Sequence, residues 1–441
     1  MSVVILGAGL AGLAAAQRLR ENGVAAVVYE KKPYVGGRAY SHKVQGFVFD
    51  QGPHASFTRK RKIQTLLAAG VRGQLVEHQA RVTNYWGGHW LPHPAQCNLY
   101  GLPGELVTRC IVDLVKAQYE ECGPIVTYAD WCRHGLGTAF SEAFTFPYTR
   151  KYWTAEAQDM TAEWVGPRVY SPRLEEVVRG AVGTQSSRYH YINRIRYPLN
   201  GGFGAFVEAV MGDWDVHLGC PVTTVDLKRH VLELGDGRKV HYERLISSLP
   251  LPELIRLIKD APRAVVGAAE QLTCTSVVLV NVGIDRAEGL PDAHWLYVYD
   301  EDVVFARVNL PHRMSPNNAP DGCASLQFET YHSTYRPLPC EDIVSRTMED
   351  ATRIGVLRRD DRILVSEEER IRYANILFDH KRDRNLAVVQ RYLREHDVIS
   401  CGRYGEWAYY WSDDSILSGW RAASAYLKCS RGSASRGAGA A

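Results

Sequence analysis

The chain has 441 residues, of which 46% are hydrophobic and 23% are charged, the balance of an ordinary globular protein. This composition excludes disorder over most of the length, a collagen-like repeat and a small disulfide scaffold. Lys and Arg total 52 against 49 Asp and Glu, so the formal net charge is only +3, and no basic block of the kind used to bind nucleic acid occurs. A large enzyme of two or three domains is the leading interpretation.

The cellular compartment is predicted from three features of the sequence: its first residues, the length of its apolar stretches and its cysteines. The first residues lead directly into an apolar strand, without the basic region and cleavage site of a secretory signal. No uninterrupted apolar stretch reaches the roughly 18 residues that a membrane-spanning helix needs. Ten cysteines are scattered without a Cys-x-x-Cys pair, so we expect reduced thiols rather than disulfides or a metal site. The sequence predicts a cytoplasmic protein without an integral membrane segment.

The chain begins with a predicted βαβ unit. Val3 to Leu6 is a β-branched run suited to a buried parallel strand. An alanine-rich helix follows from Leu13 to Glu21, and Val24 to Tyr29 is a second buried strand.

Farther along, helical periodicity predominates from about residue 103 to residue 182. Strand patterns with intervening turn residues follow at Val216–Val225, Val231–Leu234, Ser276–Ile284, Trp295–Tyr299, Val303–Val308 and Ala324–Thr330. Amphipathic helices are predicted at Asp342–Ile354 and Arg384–Glu395. The Ser/Gly/Ala/Arg-rich end, residues 429–441, is predicted to be a disordered tail.

A glycine motif joins the first strand to the first helix. Gly7, Gly9 and Gly12 form G-x-G-x-x-G, in which the glycines permit a tight turn, backbone approach to a pyrophosphate and close helix–strand packing. The helix N-terminus offers unpaired N–H groups to phosphates. Glu30 ends the second strand, where a carboxylate can bind a ribose. Glycine turns also arise from packing alone, but strand, helix and acid together predict a dinucleotide site.

The next glycines distinguish FAD from NAD. Gly36, Gly37 and Arg38 follow Glu30 after five residues, which gives E-x5-G-G-R. This segment resembles the flavoproteins of the glutathione-reductase-like superfamily, where it wraps the FAD pyrophosphate. A glycine turn with a surface arginine is the simpler alternative, and the preceding motif favours FAD.

Several later segments carry a more specific signal. They are Asp50-Gln51-Gly52-Pro53-His54, Pro147-Tyr148-Thr149-Arg150-Lys151-Tyr152-Trp153, Arg168-Val169, the Tyr197-to-Gly204 stretch, the pair Tyr297 and Arg307, and Gly402-Arg403-Tyr404-Gly405-Glu406-Trp407 with Tyr409. Together these segments resemble the flavin-dependent UDP-galactopyranose mutases, in particular the eukaryotic type. The resemblance runs from residue 3 to about residue 425, and its middle segments are the specific ones.

This resemblance implies a set of site residues. FAD would be bound by Gly7, Gly9, Gly12, Glu30, Lys31, Gly37, Arg38, His54, Val222, Gly402, Arg403, Ser415 and Ile416. A nucleotide-sugar substrate would be bound by Gln96, Trp153, Arg168, Asn193, Tyr297, Arg307 and Tyr409. The residues expected to act in catalysis are His54, beside the isoalloxazine ring, and the diphosphate-binding Arg168 and Arg307.

Each of these side chains also has a simpler interpretation. Arg168 and Arg307 are equally the kind of residue found on surfaces, although a guanidinium binds phosphate bidentately. Trp153, Tyr297 and Tyr409 could equally be core residues, although a sugar site uses aromatic side chains with flat apolar faces and polar tips. Four segments depart from the mutase pattern. Thr149 replaces an asparagine near the sugar, His93 replaces the tyrosine that stacks on the base, a Tyr-Pro pair is replaced at Asn375-Ile376, and the stretch after Tyr410 is shorter.

The resemblance also implies a reaction. The enzyme would interconvert pyranose and furanose forms of an NDP-sugar similar to UDP-galactose, through a reduced-FAD N5–sugar adduct, with NADPH or NADH as the expected reductant. The alternative is an FAD-dependent oxidoreductase, similar to amine or protoporphyrinogen oxidases, acting on a small molecule. A third interpretation is a non-catalytic carrier like the GDP-dissociation inhibitors, against which the intact Gly-Gly-Arg segment and His54 argue.

The predicted fold class is α/β, with a Rossmann-like, discontinuous FAD-binding domain. We expect this domain to comprise residues 1–95, 198–262 and 396–428. A mainly helical substrate-cap domain is expected at 96–197, and a substrate domain of antiparallel sheet plus helices at 263–395.

Overall fold

A computed structural model describes residues 3–120, 123–184 and 194–437, without the side chains of residue 167 and of residues 430 onward. The strands, β1 to β19 in chain order, are Val3–Leu6, Ala26–Tyr29, Ser41–Val44, Phe47–Asp50, Leu75–Gln79, Val82–Trp86, His89–Pro92, Arg194–Pro198, Asp215–His217, Val222–Asp226, Val231–Leu234, Lys239–His241, Arg244–Ser247, Ser276–Ile284, Trp295–Val298, Arg307–Asn309, Ala324–His332, Ile363–Ile371 and Val398–Ser400. The α-helices, α1 to α14, are Leu10–Arg20, Arg61–Gly70, Gly104–Tyr119, Tyr128–Leu136, Thr138–Phe140, Phe146–Tyr152, Leu174–Val182, Leu251–Leu257, Arg263–Glu270, Pro311–Met314, Ile343–Arg353, Arg382–Glu395, Gly402–Gly405 and Ser412–Gly437.

A parallel five-stranded sheet organises the first layer, in the order β19-β13-β1-β2-β9. Its central strand β1 is buried along its whole length, as a β-branched run in a parallel sheet requires. Helix α1 packs closely against α14, because a Cβ at Gly419 would lie only 2.1 Å from the Ala11 carbonyl oxygen. The predicted α/β fold class with a parallel sheet is confirmed.

A seven-stranded sheet forms the second layer, in the order β18-β14-β17-β16-β15-β6-β7. Strands β15 and β6 run parallel, with Trp295 opposite Val82, and the other neighbouring pairs are antiparallel. The prediction put residues 82–92 in the FAD-binding domain, whereas β6 and β7 complete this sheet. The sequence did not indicate this pairing, because more than 200 residues separate β6 from β15 along the chain.

The predicted strand Val216–Val225 is in fact two strands with different partners. Residues of β9 extend the parallel sheet beside β2, whereas β10 pairs with β11, which pairs with β12. Between β9 and β10, Gly219 has a φ of +63° and Pro221 has no N–H to donate, so the strand cannot continue. Asp236 and Gly237, a pair typical of turns, lie between β11 and β12.

Helices dominate residues 103–182, as the periodicity predicted. The last helix, α14, continues through residue 437 and so includes residues 429–437, where the sequence favoured an irregular tail; the remaining four residues lie outside the described part. Among the described residues, no helix is long and apolar enough to cross a membrane. In the part of the chain that the structure describes, the thiols of Cys97, Cys110, Cys132, Cys220, Cys274, Cys323, Cys340 and Cys401 are free.

Candidate functional site

A cavity of about 850 Å³ lies where the two sheets and the helical layer meet. Its floor includes Gly7, Glu30, Ser248 and Gly402, which follow the carboxyl ends of four parallel strands. Ligands of open α/β sheets bind at these ends. The remaining walls are formed by aromatic side chains of the helical layer, which comprises α3 to α7, and by polar side chains of the seven-stranded sheet.

The first glycine motif forms a cradle at the start of α1. Gly7 has a φ of +94°, and a Cβ at Gly12 would lie 2.0 Å from the Gly7 carbonyl oxygen, so a larger residue could not pack there. The helix is preceded by Gly9, whose N-cap position has no side-chain hydrogen bond, and its first turn contains no acidic residue. The backbone N–H groups of that turn therefore remain open to an anion.

The second glycine segment packs on the first. The Gly36 N–H donates to the Ala8 carbonyl oxygen at 2.8 Å, and a Cβ at Gly37 would lie 3.1 Å from the Gly9 Cα. Gly36 and Gly37 have φ values of +102° and +55°, which non-glycine residues rarely adopt. The two motifs therefore form a single backbone cradle, with the space that a pyrophosphate requires.

Glu30 orders the backbone at the same end of the cavity. Its carboxylate accepts hydrogen bonds from the Ala8 N–H at 2.8 Å and the Lys32 N–H at 2.9 Å. Lys31 and Val222 line the cavity beside it. A half-buried carboxylate next to the glycine cradle can bind a ribose hydroxyl, as the sequence predicted.

Arg38 and Gln51 connect the cradle to the seven-stranded sheet. Arg38 donates to the Gln51 carbonyl oxygen at 2.8 Å, and the Gln51 side chain donates to Glu369 at 2.7 Å. Burial raises the pKa of Glu369, although Arg38 partly offsets this effect. Glu369 was not predicted, since a charged side chain on an edge strand gives no sequence signal of its own.

The His54 ring is held in one orientation beside these groups. Its Nδ1 lies 2.7 Å from the Gly52 carbonyl oxygen, which can only accept, so Nδ1 carries the proton. Burial lowers the pKa of His54 to about 3, and the positive charge of Arg38 contributes. The imidazole is therefore neutral near pH 7, and its Nε2 is an acceptor.

A buried polar network supports the loop that carries His54. Asp50 accepts hydrogen bonds from the Ser41 hydroxyl, the Tyr197 hydroxyl at 2.7 Å and the Phe203 N–H at 2.9 Å. Burial raises the pKa of Asp50 to about 6, although these three donors favour its ionised form. The network fixes the strand that leads into the Gly52 turn.

Arg307 forms a bidentate ion pair that the sequence did not reveal. Its Nε and Nη2 lie 2.6 and 3.0 Å from the carboxylate oxygens of Glu329, and the Tyr331 hydroxyl also donates to that carboxylate at 2.8 Å. Arg307 and Glu329 are opposite each other on β16 and β17. The pKa of Arg307 is raised, because Glu329 outweighs the effect of burial. Strand register, which no sequence pattern specified, creates this pair.

Arg168 also lines the cavity and has neutral partners. It donates to the carbonyl oxygens of Trp164 at 2.9 Å and Tyr409 at 3.1 Å. Its guanidinium carbon lies 4.6 Å from the Tyr409 ring centroid. No carboxylate of the described residues pairs with it, and its Nε is buried without a hydrogen-bond partner.

Aromatic rings line the middle of the cavity. Trp153 packs against Trp164 and Tyr409, with ring centroids 4.7 and 5.7 Å apart. Tyr148 meets Tyr297 edge-to-face at 5.5 Å, and its buried hydroxyl has no hydrogen-bond partner. Trp153 thus belongs both to the core and to the cavity wall, so the two interpretations of this residue are compatible.

The outer substrate positions are only partly brought together. Gln96 lines the cavity, and its side chain donates to the Tyr170 carbonyl oxygen at 2.8 Å. His93, also in the lining, has its Nδ1 3.1 Å from the Asn84 side-chain oxygen. The hydroxyl of Thr149 donates to the Thr145 carbonyl oxygen of its own helix. Asn193, a predicted substrate residue, lies outside the described residues.

The remaining predicted cofactor positions fall into two groups. Gly402, Arg403 and Ser415 line the cavity. Ile416 is fully buried in the core cluster that includes the apolar side chains of α1, and Gly12 packs against the Gly7 turn; neither lines the cavity. The predicted contacts of Ile416 and Gly12 with the cofactor remain predictions.

Comparison with known proteins shows the family. The model of the family "Flavin containing amine oxidoreductase" matches residues 10–427. A crystal structure of reduced UDP-galactopyranose mutase superposes with a TM-score of 0.91 at 25% sequence identity, covering 97% of this chain and 96% of that chain. A putative protoporphyrinogen oxidase from Exiguobacterium sp. 255-15 superposes with a TM-score of 0.75 at 16% identity, covering 96% and 98% of the two chains, which shows the shared fold alone.

Similarity to a curated desaturase covers a short segment of the chain. A 4,4'-diapophytoene desaturase of Staphylococcus haemolyticus is 47% identical over 53 residues, which is 12% of this chain and 11% of that protein.

The glycine cradle, the uncapped helix N-terminus and Glu30 fit a bound FAD. The chain therefore belongs to the flavin-containing amine oxidoreductase family, whose cofactor is a flavin.

Proposed function

We propose that this flavoenzyme is a nucleotide-sugar mutase, which interconverts pyranose and furanose forms of a UDP-galactose-like NDP-sugar without net redox change. One observation carries the proposal. Arg168, Arg307 and Arg403 line the same cavity as the flavin cradle, so several cations that can bind a diphosphate lie beside a flavin site. An amine or hydrocarbon substrate has no use for such cations. The similarity to a reduced UDP-galactopyranose mutase over nearly the whole chain supports this assignment.

The proposed mechanism assigns binding and orientation to the protein. When bound, reduced FAD supplies the nucleophile toward the anomeric carbon, so no side-chain nucleophile is required. Arg168 holds the departing diphosphate with its uncompensated charge and keeps it in place for recombination. Arg307, which Glu329 fixes in place, contributes hydrogen-bond donors to the same diphosphate rather than net charge. Trp153 and Tyr297 form the walls against which a sugar ring packs and from which water is excluded.

His54 shapes the flavin environment without exchanging a proton near neutral pH. Its ring is uncharged, is fixed by the Gly52 carbonyl oxygen and presents Nε2 as an acceptor. We therefore assign His54 a positioning role in the proposed reaction rather than general acid–base catalysis.

The second candidate is an FAD-dependent oxidoreductase acting on a small molecule. The family model favours it directly, and the aromatic walls would suit an apolar amine or hydrocarbon. In this case reduced flavin would have to be reoxidised in every turnover, and nucleoside diphosphates would not bind.

Turnover by the reduced and oxidised protein separates the two functions. The purified protein is reduced with dithionite under anaerobic conditions and offered UDP-galactopyranose and related NDP-sugars, and furanose product is measured by chromatography. We expect furanose product from the reduced protein and none from the oxidised protein. We also expect NADPH or NADH to serve as the reductant in place of dithionite. Hydrogen peroxide formed in proportion to substrate consumed would establish the oxidoreductase instead, and protein that cannot be loaded with FAD would exclude both functions.

A further inference from the structure

Arg403 has the same unusual environment as Arg168. It donates to the Tyr410 carbonyl oxygen at 3.3 Å and to the Asn375 side-chain oxygen at 3.2 Å. Both acceptors are neutral, and none of the ion pairs among the described residues includes Arg403. Its guanidinium charge therefore remains available to an anion.

One aromatic ring brings the two arginines together. The guanidinium carbons of Arg168 and Arg403 lie 4.6 and 4.9 Å from the ring centroid of Tyr409. The Nε atoms of both arginines are buried without a hydrogen-bond partner. A buried donor without an acceptor destabilises a protein, so two of them at one place indicate a ligand with several acceptor oxygens.

Apart from Arg38, which donates to Gln51 in the flavin cradle, the other arginines of the cavity are paired with carboxylates. Arg307 is paired with Glu329 through two hydrogen bonds. The Nη1 of Arg372 lies 2.8 Å from a carboxylate oxygen of Glu253. Outside the flavin cradle, the cavity arginines without a carboxylate partner are thus Arg168 and Arg403, which meet at the Tyr409 ring.

We propose that Arg403 binds the diphosphate of the nucleotide sugar together with Arg168, with the Tyr409 ring packed against both guanidinium groups. This inference rests on the proposed function and deepens it, since the resemblance assigned Arg403 to the cofactor. A diphosphate is also part of FAD, so the two sources of the same chemistry have to be separated by experiment.

Nucleotide binding to the FAD-loaded protein provides the test. UDP and dTDP are titrated calorimetrically into wild type, Arg403→Gln, Arg403→Lys and Arg168→Gln at one salt concentration, with FAD in excess. The matched control is Arg372→Gln, in which the same change removes an arginine of the same cavity that Glu253 already neutralises. Bound FAD per chain is measured in parallel by visible absorbance.

We expect Arg403→Gln and Arg168→Gln each to weaken binding by about tenfold or more, Arg403→Lys to weaken it less, and Arg372→Gln to change it by less than about twofold. Wild-type affinity in FAD-loaded Arg403→Gln would overturn the inference while leaving the proposed function intact. An Arg403→Gln protein that fails to load FAD even in excess would assign the residue to the cofactor and overturn it too. Wild type that binds neither nucleotide would contradict the proposed function itself.

Discussion

The cavity contains two arginine regions that are built on opposite electrostatic principles. One region, which we call the flavin-loop region, lies near the Gly52–His54 loop. In it, Arg307 is held by Glu329 through two hydrogen bonds. At the Tyr409 end, Arg168 and Arg403 have only neutral acceptors. The first region is complete without a ligand, whereas the second has unpaired donors.

Because of this difference, the arginines of the two regions have different roles. A guanidinium paired with a buried carboxylate fixes the geometry of its wall and adds little net charge. A guanidinium with carbonyl partners keeps its charge for an incoming anion. Resemblance to a family of sequences treats Arg168 and Arg307 as equivalent, and the charge environment separates them.

Removal of Arg307 is expected to have the largest effect. In Arg307→Ala, Glu329 stays buried without a cation, which should lower the free energy of unfolding by about 3–5 kcal/mol. The uncompensated carboxylate should also repel a diphosphate and abolish measurable UDP binding. Urea denaturation and calorimetry measure both effects. The double variant Arg307→Ala/Glu329→Gln should recover most of the stability; if it does not, Glu329 is not the cause.

Asp50 provides a pH-dependent test of the flavin-loop region. Because burial raises its folded pKa to about 6 from 3.8, the folded state binds the proton more tightly than the unfolded state between these values. Stability from this group is therefore full below about pH 4 and is lost as pH rises to 6, by on the order of 3 kcal/mol. Asp50→Asn keeps the shape and should remove this dependence, as seen in the difference between the two unfolding curves from pH 4 to pH 7. Parallel curves would contradict the raised pKa.

Arg168 should show the opposite signature to Arg307. Its partners are carbonyl oxygens, to which glutamine can still donate, so Arg168→Gln should change the free energy of unfolding by less than about 1 kcal/mol. The same variant should weaken UDP binding by about 10- to 100-fold. A large loss of stability with unchanged affinity would show that the two regions do not differ in the manner described.

Near neutral pH, the smallest effect is expected at His54. Since burial lowers its folded pKa to about 3 from 6.5, its contribution to stability is complete above about pH 6.5 and is lost as pH falls toward 3. At pH 5 the loss should be about 2 kcal/mol in wild type and absent in His54→Gln. Between pH 7 and pH 8 the flavin absorbance of the two proteins should respond to pH in the same way. A titration near pH 7 that disappears in His54→Gln would show that the ring is protonated there.

Local patterns predicted the cofactor end of the molecule well. The turn at Gly7, the close packing of Gly12 and the position of Glu30 depend on residues within one βαβ unit. Such contacts are short-range, so residue type and spacing specify them. The α/β class and three strands of the seven-stranded sheet, β14, β15 and β17, followed from the same kind of pattern. The predicted strand Val303–Val308 overlaps β16 at only two residues, and β6, β7 and β18 were not predicted.

Long-range pairing decided the rest. The addition of β6 and β7 to the second sheet, the cross-strand pair of Arg307 with Glu329, and the meeting of Arg168 with Arg403 at Tyr409 all join segments that are far apart or set by strand register. The sequence by itself therefore determined a flavin cradle and supplied the candidate arginines. Only the tertiary structure decided which arginines keep their charge, because charge compensation depends on neighbours in space rather than along the chain.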